Sequence, residues 1–234
     1  MKRLPSLGNT KRKPERAWTA VDSYIDGLLI GEDAVLDAAL EASAAAGLPD
    51  IAVTPSQGKL LYLLARMTGA QKILEIGTLG GYSTIWLGRA LPPGGRLVTL
   101  EADRKHSEVA RANIARAGLA KAVDVRLGQA LKTLPKIAAE GGGPFDFVFI
   151  DADKESTTEY FGWALRLSRP GTAIVVDNVV RDGEVANAKT TDPRVLGIRR
   201  FNESLAREPR VSATTIQTVG SKGYDGFTLA LVTG

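Results

Sequence analysis

The sequence predicts a doubly wound α/β fold, and three observations carry that reading. After Gly69, short β-rich runs alternate with helical stretches in the order βαβαβαβαβ. These runs are nearly continuously apolar, as strands buried on both faces of a parallel sheet must be, and right-handed crossovers between them place helices on both faces. The chain then closes with two β-rich runs separated only by Gly220-Ser221-Lys222-Gly223, a link so short that it forces an antiparallel hairpin.

The elements follow in order. From Val21, the apolar positions Tyr24, Ile25, Leu28 and Leu29 fall at helical spacing, and a second helix is expected over Asp33 to Ala46, ended by Gly47. A third begins at Thr54 as N-cap, with Pro55 at its first position and Gln57 placed to complete a capping box. Strands are predicted over Lys72–Ile76, Arg96–Glu101, Val123–Leu127, Phe145–Ile150 and Thr172–Asp177. The helices between them are predicted over Ser83–Leu91, Lys105–Ala117, Leu131–Glu140 and Glu155–Leu167. A last helix over Val195–Ala206 precedes the hairpin strands Val211–Val219 and Tyr224–Val232.

Composition narrows the function. The 234 residues, 44% hydrophobic and 24% charged, have the balance of one globular domain. No run approaches the length of a membrane span and no apolar leader is visible, so a cytoplasmic placement is expected. The absence of cysteine excludes thiol chemistry, and the single His106 excludes a multi-histidine metal centre, so any metal must sit on oxygen ligands. Six basic residues against Glu15 lie within the first sixteen positions, which carry the excess positive charge. Residues 1–19 are therefore expected to form a basic flexible tail and residues 20–234 a nearly neutral single domain, unsuited to nucleic-acid binding.

The chemistry is expected at the strand ends. The first strand runs through Glu75-Ile76-Gly77-Thr78-Leu79-Gly80-Gly81 into a helix, and such a turn lets backbone and helix N–H groups approach a nucleotide-like ligand. Glu101, 24 positions after Gly77 at the end of the second strand, can accept hydrogen bonds from both hydroxyls of a ribose. The pair suits any adenosine cofactor, although the G-x-x-G-G spacing departs from that of dinucleotide sites. Two more strand ends carry Asp151-Ala152-Asp153-Lys154 and Asp177-Asn178. In a parallel sheet these ends share one rim, so Asp151, Asp177 and Asn178 can offer three oxygens to one hard cation, with Lys154 beside it to accept a proton. His106, at the start of a helix, is expected to be an exposed helix residue. Trp86 and Leu87 are expected in the core, and Trp18 and Trp163 at a dimer or substrate-loop contact.

The strings LEIGTLGGYS, GQAL from Gly128, FDFVFIDADK and VVDNVVRDG, together with Glu101, resemble the cation-dependent small-molecule O-methyltransferases, the family of catechol and caffeoyl-CoA O-methyltransferases, over residues 20–234. The resemblance implies a Rossmann-like, seven-stranded, mostly parallel sheet with an antiparallel last strand, and a homodimer. It implies S-adenosylmethionine bound by Val53, Glu75, Gly77, Thr78, Ser83, Glu101, Gln129, Ala130 and Asp153. It also implies a divalent cation, magnesium first with manganese or calcium as alternatives, on Asp151, Asp177 and Asn178, and Lys154 as the base. The implied reaction is methyl transfer to a hydroxyl of a small aromatic vicinal diol. Asp182 replaces an asparagine that contacts substrate in some plant members, which leaves the acceptor open. A nicotinamide-dependent oxidoreductase and a nucleic-acid methyltransferase are the rival readings.

Overall fold

A computed structural model of the chain describes residues 14–234. Helix α1 (Pro14–Ile25) passes through a π-helical turn (Asp26–Ile30) to α2 (Ala34–Ala45) and α3 (Pro55–Met67). The alternating part comprises β1 (Lys72–Ile76), α4 (Tyr82–Ala90), β2 (Arg96–Glu101), α5 (Arg104–Arg116), β3 (Val123–Leu127), α6 (Ala130–Ala139) and β4 (Phe145–Ile150). It continues with α7 (Thr157–Arg166), β5 (Ser168–Asp177) and α8 (Pro193–Leu205), and ends in the hairpin of β6 (Val211–Gly220) and β7 (Gly223–Val232).

The seven strands form one sheet in the order β3-β2-β1-β4-β5-β7-β6. β1 to β5 are parallel, and β7 inserts antiparallel between β5 and β6. The doubly wound reading is therefore correct, including the reversed last strand. Strand alternation divides the apolar side chains between two cores. Ile73, Phe147, Phe149 and Val175 pack beneath α3, α4 and α5 with Leu61, Ile85 and Ile114. Leu74, Val148, Ile150 and Ile174 pack on the other face with Leu134, Phe161 and Phe201 from α6, α7 and α8. Trp86 and Leu87 are buried as expected.

Four local expectations change, one of them the start of β5, at Ser168 rather than Thr172. Residues 14–19, assigned to the tail, form the start of α1, while residues 1–13 lie outside the described residues. The hairpin turn is tighter than predicted, with Gly220 and Gly223 paired across Ser221-Lys222. Thr54 does cap α3, accepting from the Gln57 amide at 3.2 Å, but the Gln57 side chain does not close a capping box. Its Nε2 reaches instead to Asp177 Oδ2 at 2.7 Å, 120 positions away in the chain. The N-terminal helices are tied over the carboxyl rim of the sheet by similar contacts. Asp22 on α1 accepts from the Ser221 amide, Asp26 accepts from the Ser56 hydroxyl, and Asp33 both caps α2 and holds the Arg89 guanidinium.

Candidate active site

The strand order reverses between β1 and β4, and a crevice opens at the carboxyl ends of these strands and of β2, where α/β folds bind ligands. A cavity of about 950 Å³ occupies it. Gly77 permits the closeness of the walls: it has φ +103° and a Cβ there would stand 1.9 Å from the Asp151 carbonyl oxygen. The turn that follows aims the Thr78 and Leu79 amides at Glu101 Oε2, at 3.3 and 2.8 Å, while Glu101 Oε1 accepts from the Asp103 amide at 2.9 Å. The Glu101 carboxylate is thus fixed at the cavity wall. Gly77, Thr78, Ser83, Glu101, Gln129 and Ala130 all line the cavity, as do Val53 and Asp153. Asp153 accepts a hydrogen bond from the Tyr160 hydroxyl, and burial with that carboxylate beside it holds the Tyr160 phenol well above its usual value.

Glu75 stands behind the cavity wall rather than on it. It is fully buried, and its carboxylate turns away from the cavity to accept from the hydroxyls of Ser83, Thr84 and Thr99. Thr78 extends the chain through a 2.6 Å hydroxyl contact with Thr99. Burial raises the Glu75 carboxyl to about 7 despite the three hydroxyl donors. Glu75 therefore braces the turn and the start of α4 from behind, rather than lining the site.

Across the crevice, the ends of β4 and β5 bring Asp151 and Asp177 together. Asn178 follows with φ +58°, a backbone conformation that asparagine tolerates better than most residues. Asp177 is 6% exposed, and its Oδ1 accepts from the Asn178 amide and its Oδ2 from Gln57. Burial first, and then the Asp151 carboxylate, raise Asp177 to about 7, with Lys154 pulling in the opposite direction. Lys154 Nζ donates to Asp151 Oδ1 at 2.7 Å. Among the described residues, no group of three or more His, Cys, Asp or Glu side chains is placed to hold a metal ion. The candidate donor set is therefore two carboxylates and the Asn178 amide oxygen, an all-oxygen set that fits a hard dication. Two facing carboxylates, one nearly buried, are costly to ionise together, and a dication between them removes that cost.

A second cavity of about 840 Å³ adjoins the first. It runs from the Asp177-Asn178 corner to Asp22 on α1 and to the β6–β7 hairpin, and Gln57, Arg181 and Asp182 also line it. Two of its residues and one of the first cavity's were not anticipated as site residues. The sequence presents Gln57 as part of a helix cap and His106 as an exposed helix residue, and it gives Arg181 no role. His106 lines the first cavity, with Nδ1 3.7 Å from Glu101 Oε1. Its position in the first turn of α5, just beyond the strand end that carries Glu101, is the signal that could have revealed it.

The O-methyltransferase family model matches residues 29–232. The chain belongs to the O-methyltransferase family. It is 57% identical to a catechol O-methyltransferase of Niastella koreensis, over 91% of this chain and 96% of that protein. An O-methyltransferase from Bacillus cereus, solved in complex with S-adenosylhomocysteine (SAH), superposes with a TM-score of 0.92 at 60% identity, covering 93% of this chain and 99% of that one. The O-methyltransferase TomG from Streptomyces achromogenes, solved with S-adenosylmethionine, gives 0.92 at 54% identity, covering 95% and 100%. Family membership displaces the oxidoreductase reading. Among the described residues, no helix is long and apolar enough to cross a membrane.

Proposed function

We propose that this enzyme methylates one hydroxyl of a small aromatic vicinal diol, using S-adenosylmethionine and a divalent cation held by Asp151, Asp177 and Asn178. The observation that carries the reading is the meeting of two strand-end carboxylates at the point where the crevice joins the second cavity. The resemblance to a catechol O-methyltransferase, and to structures solved with the cofactor or its product, supports it. When bound, the cofactor supplies an electrophilic methyl group, and the cation supplies a Lewis acid that eases ionisation of a hydroxyl.

The chain's own residues do the rest. Glu101, held by three amides, is oriented to accept from ribose hydroxyls, while Gln129 and Ala130 border the base. The Thr78 and Ser83 edge, Val53 and Asp153 surround the remainder of the cofactor. As the free amine, Lys154 Nζ would take the proton of the reacting hydroxyl and hold it as the ammonium ion paired with Asp151. Much of the acceleration then comes from holding donor and acceptor in line between the two cavities. Magnesium suits this oxygen donor set best, with manganese or calcium as substitutes.

Titration of S-adenosylmethionine and of NAD into metal-free protein, followed by catechol turnover with and without magnesium, tests the proposal. S-adenosylmethionine should bind and NAD should not, and O-methylated product should form with magnesium and disappear when EDTA is added. Turnover indifferent to EDTA would show that the acid pair has a structural role alone.

A further inference from the structure

Six residues line both cavities and so form the partition between them: Ile51, Ala52, Val53, Asp151, Asn178 and Arg181. Arg181 is the one cation among them. Its backbone is held in the left-handed region, φ +55°, as is that of Asp182, a strained conformation that persists only where neighbours impose it. Asp225 on β7 imposes it. Its Oδ1 accepts from the amides of Val180 and Arg181, both at 2.9 Å, and from Gly226 at 3.0 Å.

The side chain so presented is not used up by the fold. Arg181 Nη1 lies 3.5 Å from Asp225 Oδ2, longer than the roughly 2.7–2.9 Å of a charge-assisted hydrogen bond. Among the described residues, the Arg181 side chain makes no hydrogen bond, and its Nε is buried without an acceptor. The Nε is closed off, but the side chain is 24% exposed, so an incoming acceptor meets the terminal Nη groups. The guanidinium is a planar fork matched to a carboxylate. Asp225 cannot play that part, because its Oδ1 is committed to three amides and the two oxygens cannot both turn to the fork.

We propose that Arg181 is a specificity-determining residue that binds a carboxylate carried by the methyl acceptor. The preferred substrates are then aromatic diols with a carboxylate on the ring or on a short side chain, rather than neutral or amine-bearing diols. This assignment rests on the aromatic-diol reading of the site. A carboxylate is also present on the methionine end of the cofactor, and the test separates the two sources.

The experiment measures kcat/KM for 3,4-dihydroxybenzoate and for its methyl ester, with S-adenosylmethionine and magnesium, on the full chain and its Arg181→Gln and Arg181→Lys variants. The acid should exceed the ester by about tenfold or more in the wild type, the two should approach parity in Arg181→Gln, and Arg181→Lys should keep part of the preference. The affinity for SAH should change less than about threefold in Arg181→Gln. Ester turnover reports whether each variant is folded, and the wild-type ratio stands without any variant. Parity in the wild type, or an undiminished ratio in Arg181→Gln, would overturn the assignment while leaving the diol reading intact. Loss of SAH affinity in step with acid turnover would reassign the guanidinium to the cofactor. If the wild type binds SAH yet methylates neither diol, the diol reading falls and the assignment falls with it.

Discussion

Asp177 is placed where burial and the neighbouring Asp151 both oppose its ionisation, and Gln57 is the side chain that reaches across from another element to orient it. Partners of this kind fix the lone pairs of a candidate metal ligand, and losing one typically weakens metal binding about 10–100-fold. Replacing Gln57 with leucine should therefore weaken magnesium affinity about tenfold or more in a calorimetric titration, with SAH affinity little changed. Unaltered magnesium affinity would mean that the hydrogen bond does not orient the ligand. At this scale the sequence was partly legible. The place of Asp151, Asp177, Asn178 and Glu101 on the rim was legible because each lies at or just beyond the end of an apolar strand. Gln57 was misread because the T-x-x-Q spacing is a local signal, whereas its partner is supplied by β5, far along the chain. The inward turn of Glu75 is also a tertiary matter: strand alternation points it toward hydroxyls on α4 and β2.

The β1–α4 turn is the element on which the crevice depends, and Gly77 is its tightest point. Two different strains meet there, a left-handed backbone and a carbonyl oxygen where a Cβ would lie. Gly94 offers a control, since it also has positive φ, +83°, but nothing stands within 4 Å of its Cβ position. Gly94→Ala should cost about 1–2 kcal/mol from backbone strain alone. Gly77→Ala should cost at least about 2–3 kcal/mol and also weaken SAH binding, because β1 and β4 must part at the rim. Urea unfolding and cofactor titration of both variants decide it, and equal costs would mean that the Gly77–Asp151 approach relaxes easily. The elements themselves were highly legible. Nearly every strand and helix falls within a residue or two of its predicted place, because uninterrupted apolar runs, helical spacing and glycine stops all agree locally. The exceptions are the start of α1, which extends into the basic segment, and β5, which begins at Ser168 where it pairs with Phe145.

For the molecule as a whole, stability should carry the signature of Glu75. The folded-state value near 7 lies above the 4.5 of an ordinary glutamate, so between these values the folded chain binds a proton that the unfolded chain has released. That contribution favours the fold at low pH, is lost as pH rises toward 7, and is fully absent above it. Glu75→Gln removes the dependence while keeping an oxygen for two of the hydroxyls and a donor for the third. Relative to wild type, the variant should gain on the order of 2–3 kcal/mol of stability between pH 5 and pH 8, read from urea unfolding at each pH. Asp177 titrates in a similar range in both proteins and cancels in the comparison. A pH-independent difference would show that Glu75 keeps one protonation state throughout.

The sequence by itself determined the doubly wound sheet, the reversed hairpin strand and the rim on which the candidate chemistry lies. These follow from periodicity and from the handedness of crossovers, both of which act over short stretches of chain. Only the tertiary structure decided which side chains share the two cavities. Gln57 meets Asp177, His106 stands beside Glu101, and Arg181 is presented at the partition by Asp225 from the far hairpin. Contacts between residues distant in the chain are fixed by how the elements pack, and no local pattern records them.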